Sequence, residues 1–164
     1  MIEIEKAGLQ DFDLIDDLVK KVWPQTYKNI LSEEQIEYML SMMYSLESYT
    51  EQIAVKGHHY LTIKEDDQYL GFASYELNYR YGKTKIHKIY ILPQTQGKGI
   101  GRILLSKIED IAKRNGNNII SLNVNRYNTA LHFYEKTGFV KAGQEDINIG
   151  NGYLMEDYIM EKHI

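Results

Sequence analysis

Hydrophobic residues recur along this chain with two different periods, and the places where the period changes outline its elements. Ile2 to Lys6 alternates apolar and charged residues, which predicts a short strand. From Gly8 to Val22 the apolar positions Leu14, Ile15, Leu18 and Val22 fall at helical spacing, and a helix is expected to stop before Pro24. Ser32-Glu33-Glu34-Gln35 reads as a capping box opening a second helix, with Ile36, Met39, Leu40 and Met43 as its apolar positions.

Between His59 and Leu92 the period drops to about two. Strands are expected near 59–64, 69–79 and 84–92, separated by Glu65-Asp66-Asp67-Gln68 and by a turn at Gly82, which makes an antiparallel meander. A glycine-rich turn follows, then an amphipathic helix from Gly99 to Arg114 with Ile100, Leu104, Ile108 and Ile111 on one stripe. Asn115-Gly116 ends it, Ile119 to Val124 reads as a strand, and Thr129 to Thr137 as a short helix between an Asn128 N-cap and Gly138 at C′. Asn151-Gly152 turns the last two strands as a type I′ hairpin. The order is strand, two helices, three strands, helix, strand, helix, two strands. It predicts an α/β fold in which about four helices cover a mixed, largely antiparallel sheet of about seven strands.

Composition narrows the picture. With 164 residues, 43% of them hydrophobic, two prolines and no Pro/Ser/Gly-rich or charged linker, residues 1–164 are expected to form a single domain. Lys plus Arg number 19 against 23 Asp plus Glu and are interspersed with them, so a nucleic-acid backbone is not an expected partner. The absence of cysteine excludes disulfides, a thiolate nucleophile as in thiolases, and Cys-based zinc or iron–sulfur sites; no metal is expected. The Met1-Ile2-Glu3-Ile4-Glu5 start lacks the basic and apolar segments of a signal peptide, and no apolar run approaches the roughly 18 residues of a bilayer span. A cytoplasmic protein without a membrane partner is expected, and a homodimer stays an open option.

The candidate chemistry lies in Gln96-Gly97-Lys98-Gly99-Ile100-Gly101-Arg102, between a hydrophobic strand and the strongest helix. Three glycines allow successive backbone N–H groups to converge, and the positive end of the following helix adds to their field. The turn can therefore hold a pyrophosphate, with Lys98 and Arg102 adding charge. An isolated Gly-x-Gly is more often only a tight turn. The dinucleotide pattern would need glycine where Arg102 stands, and the P-loop pattern needs Gly-Lys-Ser/Thr, so both are disfavoured.

This turn resembles the Gln/Arg-x-x-Gly-x-Gly/Ala motif of the GCN5-related N-acetyltransferases, and Lys88-Ile89-Tyr90-Ile91-Leu92-Pro93 resembles the strand that precedes it in that family. The segment from Asn123 to Phe139 is similar to the family's second cofactor segment, Asn-x-x-Ala followed by a Phe-Tyr pair. The resemblance implies acetyl-CoA as co-substrate. Its pyrophosphate would rest on the amides of Gly97, Lys98, Gly99, Ile100, Gly101 and Arg102 after Gln96. Its pantetheine arm would pair with Ile89, Tyr90 and Ile91 in a gap where the fourth and fifth strands splay. Asn128, Phe133 and Lys136 would lie against the cofactor, and Tyr134 would aim its hydroxyl at the sulfur.

The chemistry suits that last residue. Amine attack on a thioester expels a thiolate whose conjugate acid has a pKa of about 8.5, and a phenol of pKa about 10 within reach can supply the proton. An acceptor amine, of pKa about 10.4 as its ammonium, needs a base. Many relatives carry a glutamate on the strand before the turn; Lys85 stands nearest to that place here, so the base is unassigned, with Glu76 and His87 as candidates. Trp23 to Tyr27, the helix from Ser32, and segments 146–153 and 155–158 resemble a bacterial branch that includes PaiA-type polyamine acetyltransferases. Glu33, Glu34, Glu37 and Glu76 could supply carboxylates for a polyamine. The leading expectation is transfer to a small-molecule primary amine. A protein or peptide N-acetyltransferase and a catalytically silent acyl-CoA-binding module are the alternatives.

Overall fold

A computed structural model describes all residues, 1–164. β1 (Ile2–Ala7) leads through a short 3-10 turn to α1 (Phe12–Tyr27), α2 (Glu33–Met43) and α3 (Leu46–Ala54). The meander β2 (His59–Glu65), β3 (Gln68–Arg80) and β4 (Lys83–Ile91) follows. Then come α4 (Ile100–Arg114), β5 (Ile119–Asn125), α5 (Ala130–Lys136), β6 (Val140–Gly150) and β7 (Tyr153–His163). The seven strands form one sheet in the order β1-β2-β3-β4-β5-β7-β6. Only β4 and β5 run parallel; every other neighbouring pair is antiparallel.

Two elements depart from the pattern reading. α1 runs through Pro24 to Tyr27 instead of stopping before the proline. Pro24 lies on the exposed side, where the Lys20 carbonyl it leaves unbonded can meet water, while Trp23 and Tyr27 are buried and hold the last turn to the core. The α-helices number five, not about four: the pattern reading omits α3, which is nine residues long and sets only Tyr49 and Ile53 against the core. Its start is chemically marked: Ser45 Oγ accepts from Ser48 N at 3.1 Å. Ser32 caps α2 in the same way, accepting from Gln35 N at 3.1 Å, but the reciprocal half of the capping box is missing because Gln35 Nε2 donates to Leu154 O at 2.9 Å.

Each sheet face has its own core. Leu104, Leu105 and Ile108 of α4 pack with Ile63, Ala73, Ile86, Ile120 and Met160 on one side. On the other, Ile15, Leu18, Val22 and Trp23 of α1 pack with Met39, Tyr49, Tyr60, Phe72 and Leu92. β4 takes part in both cores because alternate residues of a strand face opposite sides of the sheet, and a bulge resets which of them do. Ser74 pairs with Lys88 and Tyr75 with Ile86, so His87 is an extra residue without a partner on β3. Ile86 therefore points into the α4 core, whereas Lys88 and Tyr90 join the α1–α3 side. His87 lies on that side too, bonded to Glu76.

Candidate active site

The parallel ladder between β4 and β5 is short. It holds four pairs, from Lys83↔Ile119 to Ile86↔Leu122, and then the strands separate. Beyond it Ile89, Tyr90 and Ile91 stay paired to β3, opposite Ala73, Phe72 and Gly71, but their other edge is free. This is the expected splay. It opens a cleft of about 890 Å³ between β4, β5, the glycine turn, α5 and the α1–α2 wall.

The glycine turn closes one end. Gly97 and Gly99 have φ of 86° and 79°, values that L side chains rarely adopt, and a Cβ on either would meet no atom within 4 Å. The N–H groups of residues 97 to 102 donate to no other group of the protein. Six consecutive free donors at a helix N-terminus, with open space before them, fit a diphosphate. Gln96, Gly97, Gly99, Ile100, Gly101 and Arg102 line the cleft; the Lys98 side chain does not.

α5 supplies the opposite wall. Asn128 Oδ1 accepts from Ala130 N at 2.9 Å and so caps the helix, as its sequence position suggests. Gly138, at φ 105°, ends it: Phe139 N reaches back to Tyr134 O at 3.0 Å. These two caps fix the turn that carries Phe133, Tyr134 and Lys136, all of which line the cleft. Tyr134 is buried, with the rings of Phe133 and Phe139 at 5.4 and 5.7 Å. Burial pushes its pKa well up, so the phenol keeps its proton. Across the cleft, Tyr27 and Tyr90 share a hydrogen bond of 3.1 Å.

His87 lines the cleft and Glu76 stands behind it, out of the lining, with Oε1 at 2.9 Å from His87 Nε2. A carboxylate only accepts, so Nε2 carries the proton and Nδ1 offers the lone pair. Burial, then Lys85 and Lys88, push the His87 pKa down to about 3, so the ring is neutral at physiological pH. The His58 ring stacks on His87 at 3.9 Å and its Nε2 lies 3.7 Å from the same Glu76 oxygen. Glu33, Glu34 and Glu37 are exposed on α2 and none reaches the cleft.

Two charged residues that the sequence pattern does not single out do line it. Lys88 is 5% exposed; its Nζ donates to Gln52 Oε1 and Tyr60 OH, each at 2.7 Å, and sits 4.6 Å from the Tyr44 ring centre. Burial, then Lys56, lower its pKa to about 7. Asp157 is 4% exposed and accepts only from Asn123 Nδ2, at 3.3 Å; burial raises its pKa. The one cue for Lys88 was a lysine set among Ile86, Ile89 and Tyr90 in a strand buried on both faces.

One end of the cleft is bridged by a tie between helix and hairpin. Tyr38 OH donates to Ile149 O at 2.6 Å and Gln35 Nε2 to Leu154 O, so α2 is tied to the β6–β7 hairpin. Trp23, Gln25, Thr26 and Tyr27 form the wall below, as their sequence position suggests. No helix is long and apolar enough to cross a membrane.

Comparison with known proteins agrees with this geometry. Residues 27–161 match the family model described as the acetyltransferase (GNAT) domain. The chain is 31% identical over 160 residues to the spermidine N(1)-acetyltransferase of Thermoplasma acidophilum, covering 94% of this chain and 96% of that one. It is 33% identical over 93 residues to the L-amino acid N-acyltransferase MnaT of Escherichia coli, 54% of each chain. The crystal structure of the PaiA N-acetyltransferase from T. acidophilum in complex with coenzyme A superposes with a TM-score of 0.82 at 29% identity, covering 100% of this chain and 99% of that one. The chain belongs to the GNAT acetyltransferase family, whose members take their acetyl group from acetyl-CoA.

Proposed function

We propose that this enzyme transfers acetyl from acetyl-CoA to a primary amine of a small molecule by direct attack, with Tyr134 as general acid and His87, oriented by Glu76, as the group that takes the acceptor's proton. The observation that carries this is the run of six unpaired amides beside an unpaired strand edge, with a buried phenol on the facing wall. The cofactor groups would be the main chain of Ile89 to Ile91 and of Gly97 to Arg102, with Gln96, Asn128, Phe133 and Lys136 beside them. Lys98, outside the lining, contributes its amide.

The proton inventory fits this assignment. Tyr134 holds a proton throughout the neutral range and can give it to the departing sulfur. His87 Nδ1 has its lone pair free because Nε2–H is committed to Glu76. With a pKa of about 3 the ring cannot deprotonate a free ammonium, so its part is to accept a proton in passing from an amine already bonded to the acyl carbon and hand it to water. The tie that Tyr38 and Gln35 make across one end of the cleft favours a small molecule over an extended peptide, which would need an open groove. Likeness to the Thermoplasma spermidine acetyltransferase makes a polyamine the first acceptor to try.

The test is acetyl-CoA-dependent thiol release with polyamines, amino acids, aminoglycosides and peptide N-termini. Tyr134→Phe should lower kcat by roughly 10²–10⁴-fold, the range for a lost general acid, while leaving acetyl-CoA affinity near the wild-type value. Equal losses in binding and turnover would reject the acid role.

A further inference from the structure

Lys88 and Asp157 are the two charged side chains buried beyond nine-tenths in this protein, and both line the cleft. None of the ion pairs of the protein includes either of them. The charges that could have served are engaged elsewhere: Arg126 pairs with Asp146, and Glu76 with His87. Buried charges are ordinarily paired, because an isolated ion taken out of water costs several kcal/mol. Two buried ionisable groups of opposite type, neither with an ion-pair partner and both on one cleft, mark the places where a ligand's charges go and would hold Lys88 as ammonium and Asp157 as carboxylate on binding.

The local chemistry supports this for each. Lys88 Nζ has three N–H bonds when charged; Gln52 and Tyr60 take two of them, and the Tyr44 and Tyr60 rings, at 4.6 and 5.3 Å, favour the cationic form. Gln52 is itself held by Tyr60 OH at 2.7 Å and by its own bond to Met43 O at 3.1 Å, so the ammonium position is fixed before any ligand arrives. Its third N–H has no acceptor among protein groups. Asp157, with Asn123 as its single donor, has lone pairs to spare for an ammonium. Asp157 stands opposite Asn125 on β5, the strand that leads into α5 and Tyr134, and both residues line the cleft.

We infer that the acceptor carries an acidic group as well as its primary amine, an aminocarboxylic acid, with Asp157 receiving the ammonium and Lys88 the carboxylate. This rests on the transferase reading above and narrows its substrate. A polyamine would satisfy Asp157 but bring further positive charge toward Lys88.

The experiment measures kcat/KM for ω-amino acids of increasing chain length, for α-amino acids, for the matching alkylamines without the carboxylate, and for spermidine. Wild type should prefer aminocarboxylates over the matched alkylamines by about 10- to 100-fold, the value of one charge-assisted hydrogen bond, and the best chain length reads the spacing of the two seats. Lys88→Met should abolish that preference, and Asp157→Asn should raise KM for every amine. Plain carboxylates should compete with the acceptor in wild type, which tests the Lys88 seat even if the variants fold poorly. Transfer that favours alkylamines or spermidine, with no competition by carboxylates, would overturn this inference alone. Binding of acetyl-CoA with no transfer to any amine would overturn the transferase reading with it.

Discussion

Replacing Lys88 with methionine should change how stability depends on pH. In the unfolded chain the amine titrates near 10.5; in the folded protein it titrates near 7, because burial among neutral partners penalises the ammonium. Between these values the unfolded chain binds a proton that the folded protein does not, so wild-type stability is greatest at high pH and falls as pH drops toward 7. Each pH unit of such imbalance is worth about 1.4 kcal/mol. Between pH 9.5 and 7.5 wild type should therefore lose roughly 2–3 kcal/mol relative to Lys88→Met. The groups facing Lys88 are Lys56, His58 and His87, and the phenols of Tyr44 and Tyr60. The histidines titrate near 3 and the phenols above 10, so neither set enters this window. Urea unfolding at several pH values, followed through the single, buried Trp23, measures the difference between the two proteins. A difference that stays constant across this window would show that the folded Lys88 keeps a pKa at or above its ordinary value, and would refute the reasoning.

Three other substitutions probe the site. Gly99→Val puts a side chain into the open space before the free amides at a φ of 79°, so acetyl-CoA affinity measured by calorimetry should fall about tenfold or more. Gly71→Ala drives a Cβ into the Tyr90 carbonyl and Ile91, and thermal unfolding should register roughly 1–3 kcal/mol of lost stability together with weaker coenzyme binding to the displaced β4. Glu76→Gln keeps a hydrogen-bond acceptor beside His87 but removes the charge, so kcat/KM for the acceptor should drop about tenfold or more with acetyl-CoA affinity retained.

Much of the scaffold could be read along the chain because each strand or helix repeats its own period, and the turns carry residues suited to left-handed backbone. Asp66 and Asp67, at φ 48° and 70°, and Asn151 and Gly152, at 55° and 80°, are examples. Pro24 misled because proline reports a local cost, whereas the burial of Trp23 and Tyr27 that offsets it comes from β3 and β4, far away in sequence. α3 escapes the pattern because nine residues with two core-facing positions, Tyr49 and Ile53, are too few to establish a period. The glycine turn and the α5 segment were legible as motifs. The polar interior was not: a single Lys88 or Asp157 among apolar strand neighbours does not say that it lines a cleft, which only the separation of β4 from β5 and the pairing of β7 beside β5 create. His58 joins Glu76 and His87 through tertiary packing that no spacing encodes.

The short parallel ladder has a further consequence. Four residue pairs, with two bonds to the Gly82 carbonyl at their outer end, stitch the β1–β4 half of the sheet to the β5–β7 half, and past Ile86 and Leu122 the two edges face each other without bonding. A molecule lying in that seam is gripped by peptide groups, which every amino acid possesses equally, so the grip tolerates drift of the side chains along it. Such a grip also ignores whether the terminal sulfur still bears its acyl cargo. On the reading proposed above, spent coenzyme should therefore bind about as tightly as acetyl-CoA and compete with it.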